Sequence, residues 1–191
     1  SGLSDFGHEV VAEMNRVGIL CDLSHVGSTT SHDVISASKK PVTYSHCLPK
    51  GLKDHKRNKT DEELRFIADK GGFIGVTMFT PFLRRGPESG IEDYIEAMEY
   101  VINIVGEDTV GIGTDFTQGY GDEFMEWITR DKGYARRLTE FGTVRFPDGF
   151  STIGDFPNLT QGMEKAGWSE NRIRKIMGEN WVRVLEDVWG G

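Results

Sequence analysis

At 191 residues the chain has the length of one domain or of a large piece of one. Hydrophobic residues at 37% and charged residues at 27% belong to a globular protein, not a disordered or fibrous one. A formal charge of −8 argues against nucleic acid, whose binding rests on basic residues that neutralise phosphates, and no apolar run approaches the ~20 residues that span a bilayer.

The opening Ser1-Gly2-Leu3-Ser4-Asp5 has no initiator Met, no basic stretch and no apolar core. It does not read as a signal peptide, and a start without Met is expected of a trimmed or cut chain. Leu3, Phe6, Val10, Val11, Met14 and Val17 fall at helical spacing, which predicts a helix over residues 3–17 ending at Gly18. Residues 19–24 form a short apolar run of strand length. Ser28 is expected to cap a second helix reaching about Ser38, and Pro41 opens a strand over residues 42–45. The loop that follows holds the basic stretch from Lys50 to Lys59, whose plain reading is a solvated loop. Thr60 and Glu63 make a capping box for a helix to Lys70, which Gly71-Gly72 ends. A third strand is expected over residues 73–77, a loop over residues 79–90, a helix over residues 91–105 and a fourth strand over residues 110–114. Residues 116–157 are less regular, with a helix expected near residues 123–138. Asn158 and Ser169 are expected to cap two further helices, the last passing through or restarting near Gly178 and ending near Trp189.

Strands alternating with helices at this spacing read as parallel β/α units. A closed (β/α)8 barrel needs eight strands and about 250 residues, so four strands make half a barrel. An open four-stranded parallel sheet covered on both faces is the competing α/β architecture. In either, the chemistry lies at the C-terminal ends of the strands. Those ends carry His25 after Asp22-Leu23-Ser24, His46 after Tyr44-Ser45, and Asp115 after Gly113-Thr114. Two imidazoles and a carboxylate from three strand ends point to a divalent metal such as zinc, although a single strand-end histidine is more often simply hydrogen-bonded. His8 and His32 fall on helices and read as solvated, and His55 has a weaker case than His25 or His46. Alternation puts Gly111, Gly113 and Asp115 on one face, leaving room for a bound group or a close neighbour. Arg57, in the loop after His46, has the fork geometry to clamp a substrate carboxylate, set against the plain reading of a solvated charge. Cys21 and Cys47 have no C-x-x-C partner, which excludes a zinc ribbon or redox motif and predicts a reduced, cytoplasmic chain.

The ordered set of motifs carries more than any one of them. It includes Glu13-Met14-Asn15-Arg16, Asp22-Leu23-Ser24-His25-Val26, Ser45-His46, Arg57-Asn58 with Asp61-Glu62, Gly71-Gly72-Phe73-Ile74-Gly75, Gly111-Ile112-Gly113-Thr114-Asp115-Phe116, Asn158-Leu159-Thr160 and Gly178-Glu179-Asn180-Trp181. In this order, from about residue 3 to residue 185, the chain resembles the membrane (renal) dipeptidase family of the amidohydrolase-like TIM barrels. The resemblance implies that residues 1–191 are the C-terminal half of one metallodipeptidase barrel domain, with strands 5–8 of a (β/α)8 fold. It implies hydrolysis of dipeptides with two zinc ions in the complete enzyme, His25 and His46 as metal ligands, Arg57 on the dipeptide carboxylate, and Asp115 as the acid-base group. The family's other metal ligands, an H-x-D pair and a bridging glutamate, belong to the N-terminal half and have no match here. The expected partners are therefore a small dipeptide and either the missing half-barrel or another copy of the chain. An inactive or binding-only relative, and another amidohydrolase reaction on a lactone or an N-acyl amino acid, are the alternatives. Cys47 stands where a small residue is common after the second histidine, Thr117 where an acidic one is, and residues 117–157 form a long excursion. These departures bear on substrate preference more than on reaction class.

Overall fold

The computed structural model describes residues 2–116, 122–130 and 144–190. Helix α1 (Asp5–Val17) opens where the Ser4 side chain accepts from the Gly7 N–H and closes at Gly18 in the left-handed region (φ 74°). The strand expected over residues 19–24 is a single bridge between Asp22 and Thr43. It is held by Leu23 N–H to Thr43 O at 2.8 Å and Thr43 N–H to Cys21 O at 3.0 Å. Asp22 itself ends the pairing. Its Oδ1 accepts from the Ser24 N–H at 3.1 Å, a local turn that takes the backbone out of the ladder.

Helix α2 (Ser28–Ala37) has extended Gly27 at its cap, so Ser28 is the first helical residue and not the cap expected of it. Strand β1 (Thr43–Cys47) follows, then α3 (Asp61–Asp69), which opens on the expected Thr60–Glu63 capping box. Strand β2 (Phe73–Val76), helix α4 (Ile91–Val105) and strand β3 (Val110–Ile112) complete the β/α series. Between β2 and α4, in place of a plain loop, Pro81 and Pro87 start two short 3-10 turns, Thr80–Phe82 and Gly86–Glu88. Helix α5 (Asp122–Ile128) lies in the stretch expected to be helical, whose residues 131–138 are outside the described ones. Helix α6 (Phe156–Lys165) starts before Asn158, with Asp155 at its cap and Pro157 in its first turn. Asn158 therefore sits inside the helix and donates from Nδ2 to Gly149 O at 2.8 Å. Ser169 caps α7 (Glu170–Arg174) as expected, and a wide turn over Lys175–Glu179, where Gly178 leaves helical geometry, leads into α8 (Asn180–Trp189).

The sheet is parallel with strands in the order β1-β2-β3, and every residue of β2 and β3 is buried. Strands covered on both sides read as continuous apolar runs, as Phe73-Ile74-Gly75-Val76 does. Helix α4 docks through Tyr94, whose hydroxyl donates to Val76 O at 2.7 Å. Helix α8 crosses the foot of the sheet. Arg183 donates to Gly71 O and Asp108 O, both at 3.3 Å, and Lys40 reaches Asp187 O at 2.9 Å. Gly71, Asp108 and Lys40 all stand just before strands, so these contacts of α8 lie at the N-terminal end of the sheet. Among the described residues no helix is long and apolar enough to cross a membrane.

One irregularity in the sheet positions the site. Tyr44 pairs with Ile74 and Cys47 with Val76, so β1 spends one more residue than β2 between the two pairs. The bulge falls on Ser45 and His46, and such bulges re-aim side chains. A Cβ on either Gly75 or Gly113 would overlap the Ser45 carbonyl oxygen, and glycine at both positions lets the bulged backbone lie over its neighbours.

Candidate active site

The C-terminal end of the sheet brings together residues from four segments. His25 follows the Asp22 bridge and is solvent-exposed, not the terminus of a regular strand. His46 is half-buried in the β1 bulge. Their Nε2 atoms lie 2.8 Å apart and their ring centroids 4.9 Å apart. Asp115 stands three residues beyond β3 with φ 57°, a left-handed conformation uncommon outside glycine and tolerated by aspartate. Its negative charge acts on both His25 and Arg57, favouring their protonated forms.

Arg57 is delivered by a loop that is built rather than free. Pro49 and Lys59 bridge in parallel, Lys50 N–H donates to Lys59 O at 2.7 Å, and Asn58 Nδ2 donates to Lys53 O at 2.9 Å and Phe82 O at 3.1 Å. Lys50 and Lys56 are exposed, in line with the plain reading of this stretch as solvated, whereas Asn58 and Lys59 at its end are 5% and 6% exposed and depart from it. The Lys59 ammonium donates to Val26 O at 3.1 Å and lies 4.5 Å from the centre of the Tyr44 ring, so a carbonyl and a π-face replace its water. With the loop pinned on both sides of it, Arg57 extends to His25. Nη1 lies 2.9 Å from His25 Nδ1, and Nη2 donates to Ser24 O at 3.2 Å.

The electrostatics favour a neutral imidazole at position 25. Loss of surrounding water, then the Arg57 cation, then His46 hold the His25 ring below the usual histidine range, against the opposing pull of Asp115. A neutral ring is the form that ligates a metal. Among the described residues no group of three or more His, Cys, Asp or Glu is placed to hold a metal ion. The two imidazoles are therefore a pair of nitrogen donors with no third ligand beside them among those residues.

Behind the histidines lies a polar layer to which the sequence pattern assigned no role. Asp22 Oδ1 accepts from Ser24 N–H at 3.1 Å, Ser24 Oγ–H at 2.6 Å and Ser45 N–H at 3.0 Å, while Oδ2 accepts from Ser45 Oγ–H at 2.6 Å. Ser45 Oγ is 2.8 Å from His46 Nδ1, and His46 N–H donates to Ser24 Oγ at 3.1 Å. Partial loss of water pushes the Asp22 carboxyl up, but the four bonds to it together outweigh this and hold it below the usual range. The sequence signal was present in Asp22-Leu23-Ser24, an Asx-turn pattern, and in Gly75 inside a strand, a mark of close backbone approach. The room expected beside Gly111 and Gly113 is taken by neighbours: Gly111 faces the Phe73 ring and the Ile176 carbonyl, and Gly113 the backbone of Ser45 and His46.

The model of the family described as Membrane dipeptidase (Peptidase family M19) matches residues 1–132 and 138–189. An amidohydrolase from Pseudomonas aeruginosa is 69% identical and superposes with a TM-score of 0.96, covering 100% of this chain and 59% of its own. Dipeptidase AC, a metallo peptidase, is 30% identical at a TM-score of 0.80, over 100% of this chain and 50% of its own. A metallo peptidase from Rhodobacter sphaeroides, solved with a phosphinate mimic of the dipeptide L-Ala-D-Ala, is 30% identical at a TM-score of 0.80, over 99% of this chain and 48% of its own. The chain thus spans roughly half to three fifths of the length of these structures.

Proposed function

The chain belongs to the membrane dipeptidase family, and from that premise we propose that it carries one half of the active site of a zinc-dependent dipeptidase. The observation that carries the reading is the 2.8 Å approach of the His25 and His46 Nε2 atoms at the C-terminal end of a parallel sheet, with Arg57 in contact with His25 and the Asp115 charge acting on it. The family is one of metallopeptidases, and neutral imidazole nitrogens are zinc ligands, so the pair fits that metal. Bound zinc lowers the pKa of a water to about 7 and polarises the scissile carbonyl.

The chain's own residues supply the rest. His25 and His46 offer their Nε2 atoms to one metal. Asp115 takes the proton of the attacking water and returns it to the leaving amine, which requires a carboxylate within hydrogen-bond reach of both. Arg57 holds the free carboxylate of the dipeptide through two parallel N–H donors, and to do so it gives up its contact with His25 Nδ1. The substrate class is a small dipeptide, including one with a D-residue at its C-terminal position. The remaining metal ligands come from the part of the full-length protein that this chain does not contain.

The same reading sets the architecture. The strands lie in chain order and all in parallel, with the Asp22 bridge adding a fourth position at the β1 edge. A doubly wound sheet reverses direction at a switch point, whereas a barrel adds each strand beside the last. This order supports half of a (β/α)8 barrel.

The test uses the full-length protein, with elemental analysis for zinc and a substrate panel of dipeptides, N-acyl amino acids and lactones. Dipeptide turnover with bound zinc is expected. Asp115→Asn should lower kcat about 10²–10⁴-fold, and His25→Ala should abolish turnover, while both exposed sites leave the unfolding midpoint nearly unchanged. Zinc-free protein without turnover would instead mark a binding-only relative, and a preference for lactones or N-acyl amino acids another amidohydrolase reaction. Full activity in either variant removes the site as assigned.

A further inference from the structure

The contacts behind His46 favour one arrangement of protons. Asp22 as a carboxylate only accepts, and its 2.6 Å separation from Ser45 Oγ is that of a charge-assisted O–H···O bond. Ser45 therefore spends its one proton on Asp22 Oδ2 and can only accept from His46 Nδ1, 2.8 Å away. The His46 ring then carries its proton on Nδ1 and presents a bare lone pair at Nε2. The opposite end of the chain agrees. While Arg57 holds this contact its guanidinium can only donate, so His25 accepts at Nδ1, bears its proton on Nε2 and donates it to His46 Nε2 across 2.8 Å; for His25 itself to ligate through Nε2, Arg57 must withdraw and that proton must move to Nδ1. Both ends require the same His46 tautomer. Ser24 gives its own proton to Asp22 Oδ1 at 2.6 Å and takes the His46 N–H, and although its Oγ also lies 3.1 Å from Ser45 Oγ, the shorter, charge-assisted bond to Asp22 Oδ2 is the stronger claim on the Ser45 proton.

We propose that Asp22, acting through Ser45, is a positioning residue that holds the His46 imidazole in its Nδ1–H tautomer with Nε2 directed at the metal. The inference rests on the assignment of His46 as a ligand. The partner of a ligand's second ring nitrogen sets tautomer and ring orientation. Here the partner is a serine hydroxyl oriented by a carboxylate, and the β1 bulge brings that serine next to the ligand it serves.

The geometry makes Asp22→Asn an unusually informative variant. Two backbone N–H groups, of Ser24 and Ser45, point at the Oδ1 position, so the amide oxygen must take that place and the amide nitrogen must face Ser45. The nitrogen donates to Ser45 Oγ, and the Ser45 proton turns to His46 Nδ1. The relay runs backwards, and His46 is left with its proton on Nε2, where it cannot ligate.

The experiment reads two quantities on the full-length protein: the His46 ring tautomer in the metal-free state by nitrogen-15 NMR, and zinc affinity by competition with a chromophoric chelator. Wild type is expected to show Nδ1–H. Asp22→Asn should show Nε2–H with zinc affinity lowered about 10–100-fold. Ser45→Ala, which removes the acceptor without supplying a donor, should give mixed tautomers and a loss of similar size, and Ser45→Thr should restore both readouts. If Asp22→Asn does not fold, Ser45→Ala and its rescue decide. Retention of Nδ1–H in Asp22→Asn and Ser45→Ala, or zinc affinity within about twofold of wild type in both, overturns the proposal. Wild-type protein that binds no zinc while His46 still carries Nδ1–H overturns the metal reading of the site and leaves the relay standing.

Discussion

His46 is held at two points by different neighbours, its backbone N–H by Ser24 Oγ and its ring by Ser45 Oγ. A side chain fixed at both ends loses little further freedom when it binds, which is how a site on a strand achieves precision. The bulge that allows this depends on single residues. Gly75 and Gly113 both abut the Ser45 carbonyl, where any Cβ would have to displace backbone. The next residue, Cys47, turns the opposite way into the core at 4% exposure, and burial pushes its thiol up to about 12. Its folded pKa lies above the unfolded value, so the neutral thiol stabilises the fold in full below about pH 9, and that contribution is lost as pH rises towards 12. The urea midpoint is expected to fall between pH 8 and pH 10.5, and to fall less in Cys47→Ala. In native protein at pH 8, iodoacetamide should leave both buried cysteines unmodified, as peptide mass mapping would reveal.

Helix α8 ties the C-terminal end of the chain to the sheet. Its first residue, Asn180, is 5% exposed and donates from one Nδ2 to two carbonyls, Glu107 O and Val110 O, each at 2.7 Å. Trp181 adds an Nε1–H bond to Ile112 O at 2.9 Å and lays its ring against Phe73 at 3.9 Å. Together they dock the helix onto β3 and β2. Asn180→Ala leaves two buried carbonyls without this donor and should cost about 2–4 kcal/mol, read as a lower urea midpoint with an unchanged m-value. The end of α1, the start of α3 and the span of α4 were legible because their signals are local: Gly18, the Thr60–Glu63 box, and helical periodicity over residues 91–105. The first strand was misread for an equally physical reason. Cys21 to Ser24 has strand composition, but whether it pairs beyond one bridge depends on Asp22 capturing the Ser24 N–H.

On the scale of the molecule, the parallel sheet has a buried centre, while helix α1 carries exposed apolar residues among the described ones. Helix α1 exposes Phe6 at 72% and Val10 at 40%, and Ile19 just beyond it is 53% exposed. A contiguous apolar surface of this kind marks a place where something packs. In the half-barrel reading the occupant is the remainder of the full-length protein, whose β/α units continue the sheet past the Asp22 edge. The 191-residue chain expressed alone is therefore expected to self-associate in sedimentation velocity, and to become a monodisperse one-to-one species when the remaining segment is co-expressed. A compact monomer of the isolated chain would count against the half-barrel.

The sequence alone determined the alternation of β/α units, most helix termini, the family, and the segments that carry His25, His46, Arg57 and Asp115. These are properties of local propensity and motif order, which the chain states residue by residue. Only the tertiary structure decided that β1 bulges at Ser45–His46, that the basic loop folds inward on Asn58 and Lys59, and that Asp22 stands behind His46 through Ser45. Register, burial and the direction of a hydrogen bond depend on which distant backbone lies alongside, and one residue of offset between paired strands is enough to turn a side chain from the core to the site.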